Sequence, residues 1–504
     1  MKKKKGEIMA IKSGKEYIED LKKSNPNVYM LGEKVENIWD DPRFESTKKI
    51  VAQNHDFVFE KSNKEVAIVD SHHVNEPVRR LTNHIQTTME DSLLKLDLTR
   101  DIANRRICAW CGSNILTLGW AATWETDQKY GTEYHQRFKN YLELSQKNDW
   151  DSSLGKMDAK GDRSIRPSKQ KDYPGVRIVK KDAKGITVSG CKVHTSYGPC
   201  TKVITVMPCR AMTEEDKDFA VAFWTYSDTP GITMIVKPSP NTDHIDLPMQ
   251  CPMSSAFGIV EGTTFFDNVF IPWEQVLLCG EWDMAALYPF YFGNIQRQSK
   301  CSCLAGHSDL VAGIAGLVAD VNDVLNKSHI QEKLTHCMQM AEVAQGCAFG
   351  AAAAGKMHPS GVFMPDPIKS NAGLNYIKEL TGEHIQMLHD IAGGIIVTMP
   401  TEKDYKNPKL KKILDFILAG NQKYSTEERI RALYLCREVA ATEFTGYYMG
   451  WGVNASGSPH TGHILVRSLY DLDYRIRIAK EWAGIGSSRE WPGHCNMNKF
   501  WVGN

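Results

Sequence analysis

Apolar and polar positions divide the chain into three stretches of different periodicity. Apolar residues recur at mixed three- and four-residue spacing over Val78–Leu98, and Ile115–Trp124 is a continuous apolar stripe. Both patterns predict helices, the second buried, within an α-helical N-terminal domain spanning residues 1–150. From Asp151 to Lys171, Ser, Lys, Gly and Asp dominate, a composition suited to loops and to a domain boundary. Short β-type runs follow: Val176–Val179, Ile186–Val188, Lys202–Val206, Phe219–Trp224, Ile232–Val236 and Phe265–Pro272, punctuated by turn residues. They predict a compact antiparallel β-barrel or sheet over residues 151–282. Helical periodicity returns in Leu310–Leu325, His329–Ala354, Asn371–Ile391, Thr426–Met449 and His463–Trp482, each broken by Gly or Pro. A C-terminal antiparallel helical bundle and tail over residues 283–504 is the expectation, and the fold class is α+β. No repeat of 20–50 residues is visible.

Composition narrows the function classes. At 504 residues the chain is too long for one core, so two or three domains are expected. Lys plus Arg (61) nearly cancels Asp plus Glu (60), which leaves no field to attract nucleic acid or an anionic membrane. The basic run Lys2–Lys5 reads as a solvated tail, and no apolar leader follows it. No apolar run approaches the length of roughly 18 residues that spans a bilayer. The expectation is a soluble cytoplasmic protein whose 13 cysteines are reduced. Clustered thiols then point to metal binding or to burial.

Five stretches carry candidate chemistry. Cys108 and Cys111 form C-x2-C, and Cys301 with Cys303 forms C-x-C at the end of Gln296–Cys303. Four thiolates from two remote segments would hold an iron–sulfur cluster; the alternative is four small buried side chains. The loop Asp158–Arg163 combines a glycine with charges of both signs and reads either as a cofactor cradle or as a solvated turn. His194–Tyr197 offers donors and acceptors at a strand end, or is simply that strand end satisfied. Asp390–Gly394 leaves bare amides at its double glycine, which is also the ordinary way to stop a helix.

Asn27–Asn37, Asp127–Thr132, Lys160–Arg163, Ala211–Asp218, Phe266–Pro272, Arg297–Ser299 and Asp390–Gly394 together resemble the 4-hydroxyphenylacetate 3-hydroxylase family of flavoproteins. Within it they are most similar to the branch of the 4-hydroxybutyryl-CoA dehydratases/vinylacetyl-CoA isomerases, in order and at compatible spacing from about Glu16 to about Ile485. The resemblance implies an acyl-CoA dehydrogenase-like fold, a homotetramer and one FAD per subunit. It implies flavin contacts from Lys156, Met157, Asp158, Lys160, Gly161, Asp162 and Arg163, and from His194, Thr195 and Ser196. Asp390, Ala392, Gly393 and Gly394 would reach the flavin of a neighbouring subunit.

Departures from the branch fall on its reactive residues. A [4Fe–4S] cluster held by three cysteines and one histidine is its pattern; here Cys303 matches the third cysteine, Cys108 and Cys111 are one residue too close, and Gln296 stands where the histidine is expected. Cys301 would have to supply the fourth ligand. Lys300 and Leu304 replace a tyrosine and a lysine, and an expected glutamate falls near Gly450 or Trp451. The resemblance therefore implies an FAD-dependent enzyme acting on a hydroxyacyl- or enoyl-CoA-like substrate by dehydration, double-bond isomerisation or a related redox step, with altered chemistry at Gln296 and Lys300. The alternative is a two-component aromatic monooxygenase, with His135 facing a phenolic substrate and reduced flavin delivered by a reductase partner. A third reading is a degenerate flavoprotein kept as an oligomeric scaffold.

Overall fold

The computed structural model describes residues 11–106, 112–162, 164–241 and 247–485. The N-terminal part contains helices α1 (Gly14–Leu21), α2 (Glu45–Asp56), α3 (Lys64–Ala67), α4 (Met89–Arg106), α5 (Gly112–Tyr130) and α6 (Tyr134–Asn148). Strands β1 (Val28–Met30), β2 (Glu33–Val35), β3 (Ile68–Asp70) and β4 (Pro77–Arg79) are interleaved with them. The helix expected over Val78–Leu98 starts only at Met89. Thr88 accepts a hydrogen bond from the Asp91 amide there, and Glu90 and Asp91 fill the first turn. Val78, Leu81 and Ile85 are buried from non-helical backbone, which imitates a helical period.

Strands β5 (Ser152–Gly155), β6 (Met157–Asp158), β7 (Arg177–Asp182), β8 (Gly185–Val193), β9 (Val203–Val206), β10 (Val221–Tyr226), β11 (Ile232–Lys237), β12 (Glu261–Pro272) and β13 (Val276–Cys279) build two sheets. One runs β2-β1-β11-β12-β8-β6 with β7 also on β8; the other runs β13-β10-β9-β5. Both are open, so the expected barrel is not formed. Nor are they wholly antiparallel, since β1 runs parallel to β11 and β5 parallel to β9. Val188, Val206, Phe223, Phe266 and Val269 from both sheets share one core with Tyr17 and Phe44.

The rest is helical: α7 (Leu287–Val321), α8 (Ser328–Ala353), α9 (Pro367–Ala392), α10 (Ile395–Thr398), α11 (Glu402–Lys406), α12 (Pro408–Ile417), α13 (Thr426–Ala440), α14 (Glu443–Asn454), α15 (Pro459–Leu469) and α16 (Leu472–Ala483), with the small hairpin β14 (Lys356–Met357) and β15 (Phe363–Met364) after α8. The helices expected over Thr426–Met449 and His463–Trp482 are each two. Thr442 donates to the Glu438 carbonyl and accepts from the Phe444 amide, and Asp471 caps Tyr474, so local side-chain bonds end one helix and begin the next. At 35 residues α7 is about 52 Å long. Its Ile295 belongs to the core under α5, its Cys301 and Leu304 to the core with α8 and α9, and its Val311 and Val318 to the core with α13. Contrary to the reading of the sequence, Trp282–Val321 is long and apolar enough to cross a membrane; 72% of its most apolar window is buried inside the fold, which makes it a core helix.

A buried ionic clasp locks the N-terminal part to the start of the sheets. Arg79 donates to Asp149 Oδ1 and Asp151 Oδ1, both at 2.7 Å. His55 lies between the same carboxylates at 3.3 and 3.0 Å, with Tyr17 stacked on its ring at 3.8 Å. Lys12 donates its backbone amide to Asp149 Oδ2 at 3.0 Å.

Candidate functional site

Residues 292, 296, 300, 303 and 307 are spaced by three or four, so α7 presents them along one face. Phe292 carries the Lys156 ammonium over its ring, Nζ standing 3.6 Å from the centroid. Half-buried Gln296 accepts at Oε1 from Asn114 Nδ2 of α5 at 2.7 Å. Asn114 Oδ1 in turn accepts from Lys95 Nζ of α4 at 2.8 Å and from Ser299 Oγ at 3.3 Å. Lys95 also donates to Gln86, whose Nε2 donates to the Phe363 carbonyl at 2.7 Å. One turn on, Lys300 Nζ lies 3.6 Å from Cys303 Sγ, which stands 3.9 Å from His307 Nε2. Tyr448 lies against the His307 ring at 5.0 Å.

Cys301 does not join Cys303. Positions i and i+2 of a helix lie about 200° apart, and the Cys301 thiol points instead to the Ser370 carbonyl at 3.5 Å, close against Gly373 of α9. The C-x-C pair therefore cannot ligate one cluster together. Cys108 and Cys111 lie outside the described residues, among which no group of three or more His, Cys, Asp or Glu side chains is placed to hold a metal. With Gln296 engaged by Asn114 and the Lys300 side chain, rather than a third ligand, beside Cys303, the described residues do not fit a [4Fe–4S] cluster.

Cations crowd this seam without carboxylates among their described contacts. Burial, followed by the charges of Arg297, Lys160 and Lys192, pushes the Lys156 amine down to about 7. Lys378 of α9 is pushed to about 7 by burial, then by Lys300 and Arg297. It donates to the Gly457 carbonyl at 2.6 Å. Burial lowers Arg297 to about 10; it donates to the Ser456 carbonyl at 3.1 Å and to Thr461 Oγ1 at 2.6 Å, and also to Asn371. Arg297 and Lys378 thus hold the turn between α14 and α15.

The two stretches expected at the flavin meet at a sheet edge, where Met157 pairs with Val193 and so brings Lys156–Asp158 alongside His194–Ser196. Several of their side chains are already committed. Asp158 is buried in an ion pair with Lys192 at 2.5 Å and accepts from Cys209 at 3.1 Å. Thr195 donates to the Gly262 carbonyl and Ser196 to Glu261 Oε1, at 3.1 and 2.6 Å. Burial raises that glutamate to about 7. His194 holds φ +59° and Gly161 φ +56°. Lys160, Gly161 and Asp162 are exposed, with Gln170 bonded to both the amide and the carbonyl of Asp162; Arg163 lies outside the described residues. The Lys156 side chain, the imidazole of His194 and the exposed backbone of this loop are a donor set that fits the polar edge of a flavin.

Asp390–Gly394 ends α9 elsewhere. Asp390 pairs with Lys333 of α8 at 3.1 Å, Ala392 is buried, and both glycines face open space, Gly393 at φ +68°. His135 on α6 is buried, its Nδ1 3.2 Å from Thr123 Oγ1 and its ring edge-on to Trp120 at 4.6 Å. Burial, then Lys139, pushes it down to about 4, so it is a neutral imidazole at pH 7. Lys95, Asn114 and Gln86 were not singled out by sequence; the lysine within the leucine-rich stripe of α4 is the signal from which Lys95 could have been found.

Residues 13–278 match the family described as 4-hydroxyphenylacetate 3-hydroxylase N terminal, and residues 285–484 its C-terminal counterpart. The 4-hydroxybutyryl-CoA dehydratase/vinylacetyl-CoA-Delta-isomerase of Clostridium aminobutyricum is 32% identical, covering 94% of this chain and 99% of that protein. The 4-hydroxyphenylacetate 3-monooxygenase oxygenase component of Thermus thermophilus is 24% identical over 86% of this chain and 89% of its own. Among solved structures, an oxygen-tolerant archaeal 4-hydroxybutyryl-CoA dehydratase from N. maritimus superposes with a TM-score of 0.92 at 29% identity, covering 98% and 99% of the two chains. The FAD complex of a 4-hydroxyphenylacetate 3-monooxygenase oxygenase component gives 0.81 at 22% identity, over 94% and 99%.

Proposed function

We propose, from the premise that this chain belongs to the 4-hydroxyphenylacetate 3-hydroxylase family, that it is a flavin-dependent enzyme of the dehydratase branch acting on a hydroxyacyl- or enoyl-CoA thioester. The observation that carries this reading is similarity along the whole chain that is higher to the dehydratases than to the monooxygenases. Lys156, His194 and the Gly161 loop would hold FAD, with Asp390–Gly394 reaching over from a neighbouring subunit of a homotetramer. FAD supplies an electron acceptor when bound. Beside it, Arg297 and Lys378 shape the wall of the site through the Ser456–Ser458 turn, and Lys300, at a position where the branch has a tyrosine, handles the substrate proton. The reaction is dehydration, double-bond isomerisation or a related redox step by flavin and side chains, with no step assigned to iron.

Ile413, Phe416 and Ile417 of α12 are 56%, 83% and 59% exposed in the single chain, an apolar patch that supports assembly into the homotetramer. A cytoplasmic location and no nucleic-acid partner complete the proposal. The test is anaerobic incubation of the FAD-loaded protein with 4-hydroxybutyryl-CoA, vinylacetyl-CoA and crotonyl-CoA, followed by mass spectrometry. Interconversion of any pair, with no iron or acid-labile sulfide in the protein, is expected. Hydroxylation of 4-hydroxyphenylacetate with oxygen and a flavin reductase, and no CoA product, establishes instead the monooxygenase reading.

A further inference from the structure

The hydrogen-bond chain behind Gln296 has a fixed direction. The Phe363 carbonyl only accepts, so Gln86 turns its amide nitrogen there and its oxygen to Lys95. Lys95, 2% exposed, donates to the Asn114 oxygen, which also accepts from the Ser299 hydroxyl. Asn114 is left to present its nitrogen to Gln296, which must answer with its oxygen. The Gln296 carboxamide is thereby oriented with its NH2 directed away from Asn114. That nitrogen makes no hydrogen bond within the described residues and is not among the buried atoms lacking a partner, so it faces accessible space. The space lies on the α7 face between Phe292, which carries Lys156, and Lys300 one turn further on.

We infer that Gln296 is a hydrogen-bond donor to an oxygen of the bound substrate, and that Lys95 and Asn114 are positioning residues that set its polarity. The ligand chemistry is a carbonyl or oxyanion oxygen; on the reading proposed above it is the thioester carbonyl. Polarising that carbonyl acidifies the neighbouring C–H bonds, which is what the proton transfer at Lys300 requires. No metal is needed for this role, and a glutamine held in one orientation supplies it.

The test uses the anaerobic holoenzyme and flavin absorbance to measure Kd for two ligand pairs, each differing in one oxygen: butyryl-CoA against its S-butyl thioether, and 4-hydroxyphenylacetate against phenylacetate. The wild type is expected to prefer the oxygen-bearing member of one pair about tenfold. Gln296→Leu brings that ratio close to one with the Kd of the other member unchanged. Asn114→Asp, nearly isosteric, does the same with Gln296 in place: a carboxylate accepts from both sides, so the glutamine turns its oxygen to the substrate. A ratio unchanged in both variants, or binding of neither pair, overturns the inference. Discrimination confined to the phenol pair refutes the CoA reading and leaves the donor role standing.

Discussion

The ionic clasp and the α7 seam both bury charge, and they do so in opposite ways. In the clasp, burial works against Asp149 and Asp151, but Arg79 and His55 outweigh it and hold both carboxyls below the usual range. His55 is correspondingly raised, its carboxylate neighbours prevailing over burial and Arg79. Every charge there is answered by a partner. In the seam, Lys156, Arg297 and Lys378 are all lowered, with burial the largest cause and no carboxylate contributing. Folding alone does not favour such a group, so the contrast separates a fastening from the seam proposed above to hold a ligand.

The sharpest way to break the contrast is Arg79→Met. Removing one partner of a buried ion group costs about 3–5 kcal/mol, read as urea unfolding at pH 7. The carboxyl values are depressed in the folded state, so this stabilisation is complete above their ordinary value of 3.8 and fades below it. The gap between variant and wild type should therefore narrow at pH 3, and a variant as stable as the wild type at pH 7 would erase the distinction.

Lys156→Met should act in the other sense, leaving the FAD-free protein as stable or more so while weakening FAD retention about tenfold, the loss of roughly one charged hydrogen bond. The folded amine titrates at about 7 against an ordinary 10.5, so the native state binds fewer protons across that window and wild-type stability rises with pH through it. Melting curves at pH 7 and 9 should show the rise in the wild type and its loss in the variant. The smallest effect is expected at Glu261, half-buried and raised to about 7 from 4.5. The native state binds more protons between those values, so stability falls as pH climbs through them. Glu261→Gln should melt with the wild type at pH 4.5 and above it at pH 8, by under about 1 kcal/mol.

Strands β7 to β12 and helices α5, α8 and α9 were legible because β-branched runs and apolar periods survive folding unchanged. β1 and β2 were not, since three-residue strands gain their identity from pairing, β2 with β1 and β1 with β11 more than 200 positions away. The start of α7 was hidden for a more instructive reason. Gln298, Ser299, Lys300, Ser302 and His307 are buried, so polar letters fill the face that periodicity expects to be apolar, and the helix was read only from Leu310. With α7 drawn through residue 301, the divergence of Cys301 and Cys303 follows from geometry alone. The orientation of Gln296 was beyond reach, because it is dictated by Lys95 through Asn114 on two other helices.

The clasp also sets a timetable for the chain as it is made. The Lys12 backbone amide, His55 and Arg79 cannot close the clasp until Asp149 and Asp151 have been added, the first of them 137 residues after Lys12. At about 5–20 residues per second the nascent N-terminal segment waits on the order of ten seconds with Tyr17 and Phe44 still uncovered. During that interval the growing polypeptide is most in need of a chaperone.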